Sequence, residues 1–203
     1  VRSGKTRMGI ETPRLVQEVC TSLSHPHFAP PVYLKVDFLN GCAYDAVFDT
    51  EDVSPSVSLG GRLMYAFCGA ASELRVSGRT LIDCPHEEAI HHIVTTILQH
   101  TPGNDIIVPL VCHFDEHGAF TKKVSRGRAL FMDMLRAIGS AATSPSWTPL
   151  IKMQLAGKFF IIPITTGTSQ QDANVSSVST YRVLPVPVPA LSFEDTKKLA
   201  KEF

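Results

Sequence analysis

The chain has 203 residues, of which 44% are apolar and 19% are charged, a composition typical of one folded domain with a sizeable core. Lysine plus arginine and aspartate plus glutamate number 19 each, so net charge favours neither nucleic acid nor an anionic membrane surface. No apolar run approaches the roughly 20 residues of a membrane span. The five cysteines form no C-x-x-C pair, which argues against structural zinc and indicates the reduced thiols of an intracellular protein.

The first half of the chain predicts two helices separated by a strand. Apolar residues recur at helical spacing from Met8 to Leu23, so a helix is expected close to the start. Val32 to Phe38 alternates apolar and polar residues, the pattern of a β-strand. Ser54 followed by Pro55 then indicates the start of a second helix, with Ser54 as its cap.

The second half continues this alternation of helices and strands. Pro85 to His100 predicts a helix, because a proline opens it and acidic residues lie in its first turn. An apolar strand then ends at Asp115, and a further helix is expected near residues 125–138. A connector rich in serine, threonine and proline precedes a second apolar strand from Lys158 to Thr165. The tail predicts a polar loop, a strand and a helix, over residues 167–179, 180–187 and from Ser192 onward.

Strands that alternate with helices predict an α/β fold, and specifically a three-layer sandwich around a mostly parallel central sheet. The strands that end at Asp115 and Thr165 are nearly all apolar, as the central strands of such a sheet are. We therefore expect residues 1–203 to form a single domain.

The chain opens Val1-Arg2-Ser3-Gly4-Lys5-Thr6, which matches the second half of the phosphate-binding loop G-x-x-x-x-G-K-[ST]. In such a loop, backbone amides and the N-terminus of the following helix surround phosphate oxygens. The lysine contacts the β- and γ-phosphates, and the threonine hydroxyl ligates magnesium. The pattern therefore predicts a nucleotide-binding segment, with Thr6 also a metal ligand, made of Ser3, Gly4, Lys5, Thr6 and Arg7.

The first glycine of that pattern would lie five residues before Gly4, upstream of Val1. We therefore expect a fragment that lacks the start of the loop and the strand before it, and that also ends before a helical lid. The alternative for Lys5 and Thr6 is that they begin an ordinary helix.

Asp115 and Glu116 follow directly on the apolar run Ile106 to Phe114, the pattern of a Walker B strand. Asp115 would then help to hold magnesium opposite Thr6, and Glu116 would act as the general base that polarises the attacking water. The alternative is a solvated turn after a buried strand.

Thr165 and Thr166 end the last apolar strand. This pair resembles sensor 1 of the additional-strand (ASCE) branch of P-loop NTPases, in which the phosphate-binding loop and the Walker B strand also occur. In that branch a polar residue ends the strand between the P-loop strand and the Walker B strand, and contacts the γ-phosphate or the water. The resemblance implies a catalytic role for Thr165 or Thr166, depending on strand register. AAA+ enzymes often have asparagine there, and threonine is more similar to STAND-type ATPases. A threonine pair that merely ends a strand is the alternative.

The chain is also similar to the ATPase domains multiplied in trypanosomatid and oomycete genomes, including Crinkler-type proteins. The resemblance implies an ATPase that binds ATP with Mg²⁺. We expect it to act inside the cell, in the cytoplasm or nucleus, and an unidentified protein partner or an oligomer stays open. Neither a membrane nor a nucleic acid is indicated.

Several alternatives stay open from the sequence. The domain could be a nucleotide-dependent switch with little turnover, a small-molecule kinase or a degenerate fragment. For the kinase, no arginine-rich lid is evident in the sequence. Arg126 and Arg128 are either an arginine finger or part of a solvated helix face. His86 and His91 are five residues apart, which separates them by about 140° around a helix and excludes a shared zinc face.

Overall fold

The structure, a computed structural model, describes residues 5–23, 27–39, 42, 49, 52–68, 84–103, 105–123, 127–141 and 147–167. The predicted tail elements beyond Gly167, and the loop residues Ser3 and Gly4, lie outside these residues. For Lys5, Thr6 and Arg7 the structure describes the backbone only.

The described residues contain one sheet of three parallel strands, in the order β1 (Val32–Asp37), β2 (Val108–Asp115) and β3 (Phe159–Thr166). The register places Asp115 beside both Asp37 and Thr166, so the three strands end side by side. Every residue of β2 is buried, as expected for a central strand. The α/β class and all three strands are confirmed, and the larger P-loop sandwich stays a prediction.

The described part of the chain also contains six helices: α1 (Lys5–Ser22), α2 (Pro55–Cys68), α3 (His86–His100), α4 (His117–Lys123), α5 (Gly127–Ser140) and α6 (Pro149–Leu155). The predicted cap of α2 is confirmed, because the Ser54 hydroxyl accepts a hydrogen bond from the Val57 amide at 3.3 Å. Pro13 lies inside α1 without ending it.

The sequence did not predict α4 or α6. The connector rich in serine, threonine and proline contains a helix start, because the Thr148 hydroxyl accepts from the Ile151 amide at 3.3 Å and Pro149 occupies the first turn. A proline at this position costs no hydrogen bond, since the first amides of a helix have no partner within it.

Helices cover both faces of the sheet. On one face, the Phe114 ring of β2 lies 6.1 Å from the Phe131 ring of α5, measured between centroids. On the opposite face, His113 lies against α1 at Gly9, where an added Cβ would be only 2.1 Å from the imidazole Cε1. Glycine at position 9 is therefore what allows α1 to approach β2 so closely.

The direction of α1 follows from its two ends. Gly9, near its start, lies against His113 close to the carboxyl end of β2. Ser22, its last residue, comes shortly before Phe28, which bridges Ile107 at the amino end of the sheet. The first turn of α1 therefore points toward the edge of the sheet at which the strands end.

A buried ion pair joins α2 to the segment after β1. Both nitrogens of the Arg62 fork contact the Asp49 carboxylate, at 2.9 and 2.7 Å, and the Ser58 hydroxyl donates to it at 2.6 Å. The Arg62 Nε–H donates to the Cys42 carbonyl at 3.1 Å. Because the Arg62 and Asp49 side chains are only 5% and 0% exposed, this pair is part of the protein interior.

His86, at the start of α3, makes the stability of the fold depend on pH. Its Nδ1 lies 2.8 Å from the Ser56 hydroxyl and 3.0 Å from a Glu87 carboxylate oxygen. Burial lowers the pKa of His86, and the Glu87 charge opposes this only in part. The unfolded chain therefore binds a proton at His86 more readily than the native protein does, so stability is full above about pH 6.5 and falls as the pH drops below it.

We expect the free energy of unfolding to fall between pH 7 and pH 5, and His86→Asn to reduce that slope by up to about 1.4 kcal/mol per pH unit. Urea denaturation at a series of pH values measures both slopes. His100→Asn, at the exposed end of α3, is the matched control, and we expect a smaller change of slope than in His86→Asn. Identical slopes in wild type and His86→Asn would contradict this role.

Candidate functional site

Six polar side chains lie together on the face of the sheet that α1 covers, toward the ends of the strands. We call them the polar cluster: Tyr33, Lys35, Asp37, His113, Asp115 and Thr166. Within each strand they occupy alternate positions, which side-chain alternation places on one face. Contacts between neighbouring strands then join them into one network.

Thr166 and Asp115 form the centre of the polar cluster. The Thr166 hydroxyl donates to Asp115 Oδ1 at 2.6 Å, and the two residues are only 6% and 3% exposed. Thr165 is exposed and, by alternation, faces the opposite side of the sheet. Of the two threonines that the sequence left as candidates, Thr166 is therefore the one that lies beside Asp115.

Lys35 lies between two carboxylates at the ends of β1 and β2. Its Nζ is 2.9 Å from Asp37 Oδ2 and 3.1 Å from Asp115 Oδ2. Burial alone would lower the pKa of Lys35, but the hydrogen bonds and charges of the two carboxylates outweigh it and raise that pKa. The ammonium group is therefore charged at neutral pH and balances part of the negative charge at this edge.

His113 connects the first strand to the third. Its Nδ1 lies 2.6 Å from the Tyr33 hydroxyl, and its Nε2 lies 2.7 Å from the Thr166 hydroxyl. Burial lowers the pKa of His113, which favours the neutral imidazole at neutral pH, and burial raises the pKa of Tyr33 to about 12. Both rings therefore act as neutral hydrogen-bonding groups.

Glu116 follows Asp115 at the edge of the sheet. Its φ angle of 53° is uncommon for a residue other than glycine and marks a sharp turn. Its carbonyl accepts from the Ala119 amide at 2.8 Å, at the start of α4. The predicted base thus lies on a tight strand-to-helix turn, where catalytic residues are often found.

His117 holds this turn against the end of β3. Its Nδ1–H donates to the Thr166 carbonyl at 3.0 Å, and its ring stacks on Phe131 with 5.2 Å between centroids. An added Cβ at Gly167 would lie 2.6 Å from the His117 ring, so the chain leaves β3 in close contact with this histidine. The ends of β2 and β3 are therefore fixed relative to each other.

Three of the five predicted phosphate-binding residues lie at the start of α1. Lys5, Thr6 and Arg7 form its first turn, and this turn points toward the edge that carries Asp115 and Thr166. Of the two arginine-finger candidates, Arg128 is exposed on α5, and Arg126 lies outside the described residues.

One carboxylate of the polar cluster has the kind of oxygen donor that magnesium takes in nucleotide sites. Among the residues that the structure describes, no group of three or more His, Cys, Asp or Glu side chains is arranged to hold a metal ion. Magnesium in nucleotide sites usually keeps several waters and binds one or two carboxylates plus the phosphates. Asp115 is a hard oxygen ligand of this kind, so the donors present match such a site.

Four members of the polar cluster were not among the site residues predicted from the sequence: Tyr33, Lys35, Asp37 and His113. A signal for them exists, because the polar residues of β1 recur at every second position up to Asp37, and His113 precedes Asp115 by the same spacing. Polar residues along one face of a strand that helices cover indicate a functional edge rather than a solvated one.

No protein-family model matches this sequence, and neither a curated protein nor a solved structure matches it. In the described part of the chain, no helix is both long and apolar enough to cross a membrane. The residues that bear on function are therefore those of the polar cluster and of the start of α1.

Proposed function

We propose that this chain binds ATP with Mg²⁺ at the carboxyl edge of its parallel sheet and hydrolyses it. The observation that carries the proposal is the hydrogen bond from Thr166 to Asp115. It joins the ends of the two strands that resemble the sensor 1 and Walker B strands. In open α/β sheets ligands bind outside the carboxyl ends of the strands, which is where this contact lies.

The order of the strands supports the same proposal. In the ASCE branch the sensor 1 strand lies next to the Walker B strand, and β3 pairs with β2 in this way. The N-terminus of α1 points to the same edge, and the free amides of a helix N-terminus favour phosphate groups. Three separate elements thus converge on one place.

Each residue then has a defined role. Lys5 contacts the β- and γ-phosphates, while Ser3, Gly4 and Arg7 contribute to the loop around them. Thr6 and Asp115 would hold magnesium, which when bound neutralises charge on the phosphate oxygens. Glu116 accepts a proton from the attacking water.

The test of this proposal is ATP binding in the full-length protein. Lys5→Ala should abolish measurable binding in titration calorimetry, because it removes the charge paired with the phosphates. Its circular dichroism spectrum should match that of the wild type. Lys152→Ala, at an exposed position of α6, is the matched control and should bind ATP normally. Unchanged ATP affinity in Lys5→Ala would show that the phosphate-loop assignment is wrong.

The ion pair between Lys35 and Asp115 favours a second candidate, a nucleotide-dependent switch. The ammonium group lies 3.1 Å from Asp115 Oδ2 and so competes with magnesium for this carboxylate. Nucleotide binding would then shift Lys35, and with it the end of β1, without a need for rapid turnover. Firm ATP binding together with steady-state turnover near zero would favour the switch over the hydrolase.

A further inference from the structure

A row of three short hydrogen bonds crosses all three strands of the sheet. It runs from the Tyr33 hydroxyl to His113 Nδ1 (2.6 Å), from His113 Nε2 to the Thr166 hydroxyl (2.7 Å), and from that hydroxyl to Asp115 Oδ1 (2.6 Å). We call this row the Tyr33–Asp115 relay. It begins on β1, an outer strand of the sheet formed by the described residues, and ends on the proposed magnesium ligand.

The direction of each hydrogen bond follows from the number of available protons. Asp115, as an ionised carboxylate in an ion pair with Lys35, can only accept. The single proton of the Thr166 hydroxyl is therefore donated to Asp115, because otherwise two acceptors would face each other at 2.6 Å.

The Thr166 oxygen must then accept from His113, which places the imidazole proton on Nε2. With its ring proton on Nε2, the imidazole presents a lone pair at Nδ1, and Asp115 Oδ1, at 3.9 Å from Nε2, is too far away to form a hydrogen bond with the ring. The Tyr33 hydroxyl donates to that lone pair. All three donors of the relay thus point toward Asp115.

We propose that Tyr33 and His113 are positioning residues that act through the Thr166 hydroxyl to orient the Asp115 carboxylate for nucleotide-bound magnesium. This inference rests on the proposed function. It also assigns Thr166 a different task from that of a sensor, because a hydroxyl that donates its only proton to Asp115 cannot donate it to a γ-phosphate at the same time.

The orientation of Asp115 needs such a relay because its other oxygen contacts Lys35. A carboxylate paired only with a flexible lysine side chain could rotate about its terminal torsion, which is broad for aspartate. The Thr166 hydrogen bond fixes one oxygen, and His113 in turn fixes the Thr166 hydroxyl. Tyr33 selects the imidazole tautomer that makes this possible, as second-shell partners of metal ligands do.

The direct test is the protonation pattern of His113 by NMR in the full-length protein, without nucleotide. Multiple-bond proton–nitrogen spectra at neutral pH should show His113 protonated on Nε2 and unprotonated on Nδ1. The chain has 8 histidines, and His113→Gln identifies the signal by its loss. A proton on Nδ1 of His113 would overturn the inference.

The second test uses Tyr33→Phe, which keeps the ring and removes only the donor. We expect a shifted Nδ1 resonance of His113 and, in ATP binding, a rise of about two- to tenfold in the magnesium concentration needed for half-saturation. At saturating magnesium, ATP affinity should equal that of the wild type. Tyr65→Phe, at a half-buried position of α2, is the matched control and should change neither quantity.

A pair of substitutions at Thr166 separates positioning from packing. Thr166→Val keeps the shape of the side chain without its hydroxyl and should raise the magnesium requirement about tenfold or more, since hydrogen bonds to charged groups are stronger. Thr166→Ser should restore it. Equal magnesium requirements in Thr166→Val and Thr166→Ser would overturn the inference.

These tests separate the relay from the proposed function. Suppose that His113 is protonated on Nε2 and that its Nδ1 resonance shifts in Tyr33→Phe, but that the protein does not bind ATP. This result would support the relay and contradict the proposed function. Suppose instead that Lys5→Ala abolishes ATP binding and that the His113 Nδ1 resonance is unchanged in Tyr33→Phe. This result would support the proposed function and overturn the relay.

Discussion

Glu116→Gln should preserve ATP binding and lower the rate of hydrolysis by roughly two to four orders of magnitude, the range for loss of a positioned general base. Glutamine has nearly the same size as glutamate but cannot take a proton from water. It also keeps the side-chain length at a turn whose φ angle of 53° tolerates few changes. Single-turnover phosphate release measures the rate, and calorimetry measures binding.

Two further variants make this result specific. Glu88→Gln, on the exposed side of α3, is the matched control and should hydrolyse ATP at the wild-type rate. Asp115→Asn should instead raise the magnesium concentration that activity requires. Equal hydrolysis in wild type and Glu116→Gln would assign the base to another group or favour the switch.

Arg62→Met should destabilise the fold by about 3–5 kcal/mol, the cost of leaving one member of a buried ion pair alone. Asp49 would lose both of its contacts with the guanidinium and keep the hydrogen bond from the Ser58 hydroxyl. The Arg62 guanidinium also lies 5.2 Å from the Phe120 ring centroid, so its loss removes a cation–π contact as well. Equilibrium denaturation measures the change.

The matched control is Arg14→Met on the exposed face of α1. Arg14 pairs with Glu11 and Glu18 at 3.1 and 2.7 Å, but its side chain is 66% exposed, so we expect a change of about 0.5 kcal/mol or less. The double variant Asp49→Leu/Arg62→Met should recover most of the lost stability, because no unpaired charge remains. A loss of stability at Arg62 no larger than at Arg14 would contradict the buried pair.

The sequence predicted those elements whose pattern is local. The strand β1 and the helix α3 were expected within about one residue of their observed ends, and α2 at its observed start, because alternation, capping and first-turn acids involve neighbouring residues. The helix α6 was missed because proline and threonine suggest a loop unless they are recognised as a cap and first turn.

The site was predictable only in part. Asp115 and Thr166 end apolar strands, so parallel pairing was enough to expect them at one edge. Tyr33 and His113 carry only the weaker signal of polar residues at alternate strand positions, because a tyrosine or histidine inside a strand is usually a packing residue. Their role depends on hydrogen bonds between residues distant in the chain, which periodicity does not encode.

The contact between Gly9 and His113 has a consequence for how the sequence can evolve. The His113 imidazole fills the space that a side chain at position 9 would need. A larger residue at one of these two positions therefore requires a smaller residue at the other. In chains related to this one, a larger residue at position 9 should occur with a smaller one at position 113. Since the Tyr33 hydroxyl would then lose its acceptor, phenylalanine should replace tyrosine at position 33 in the same chains.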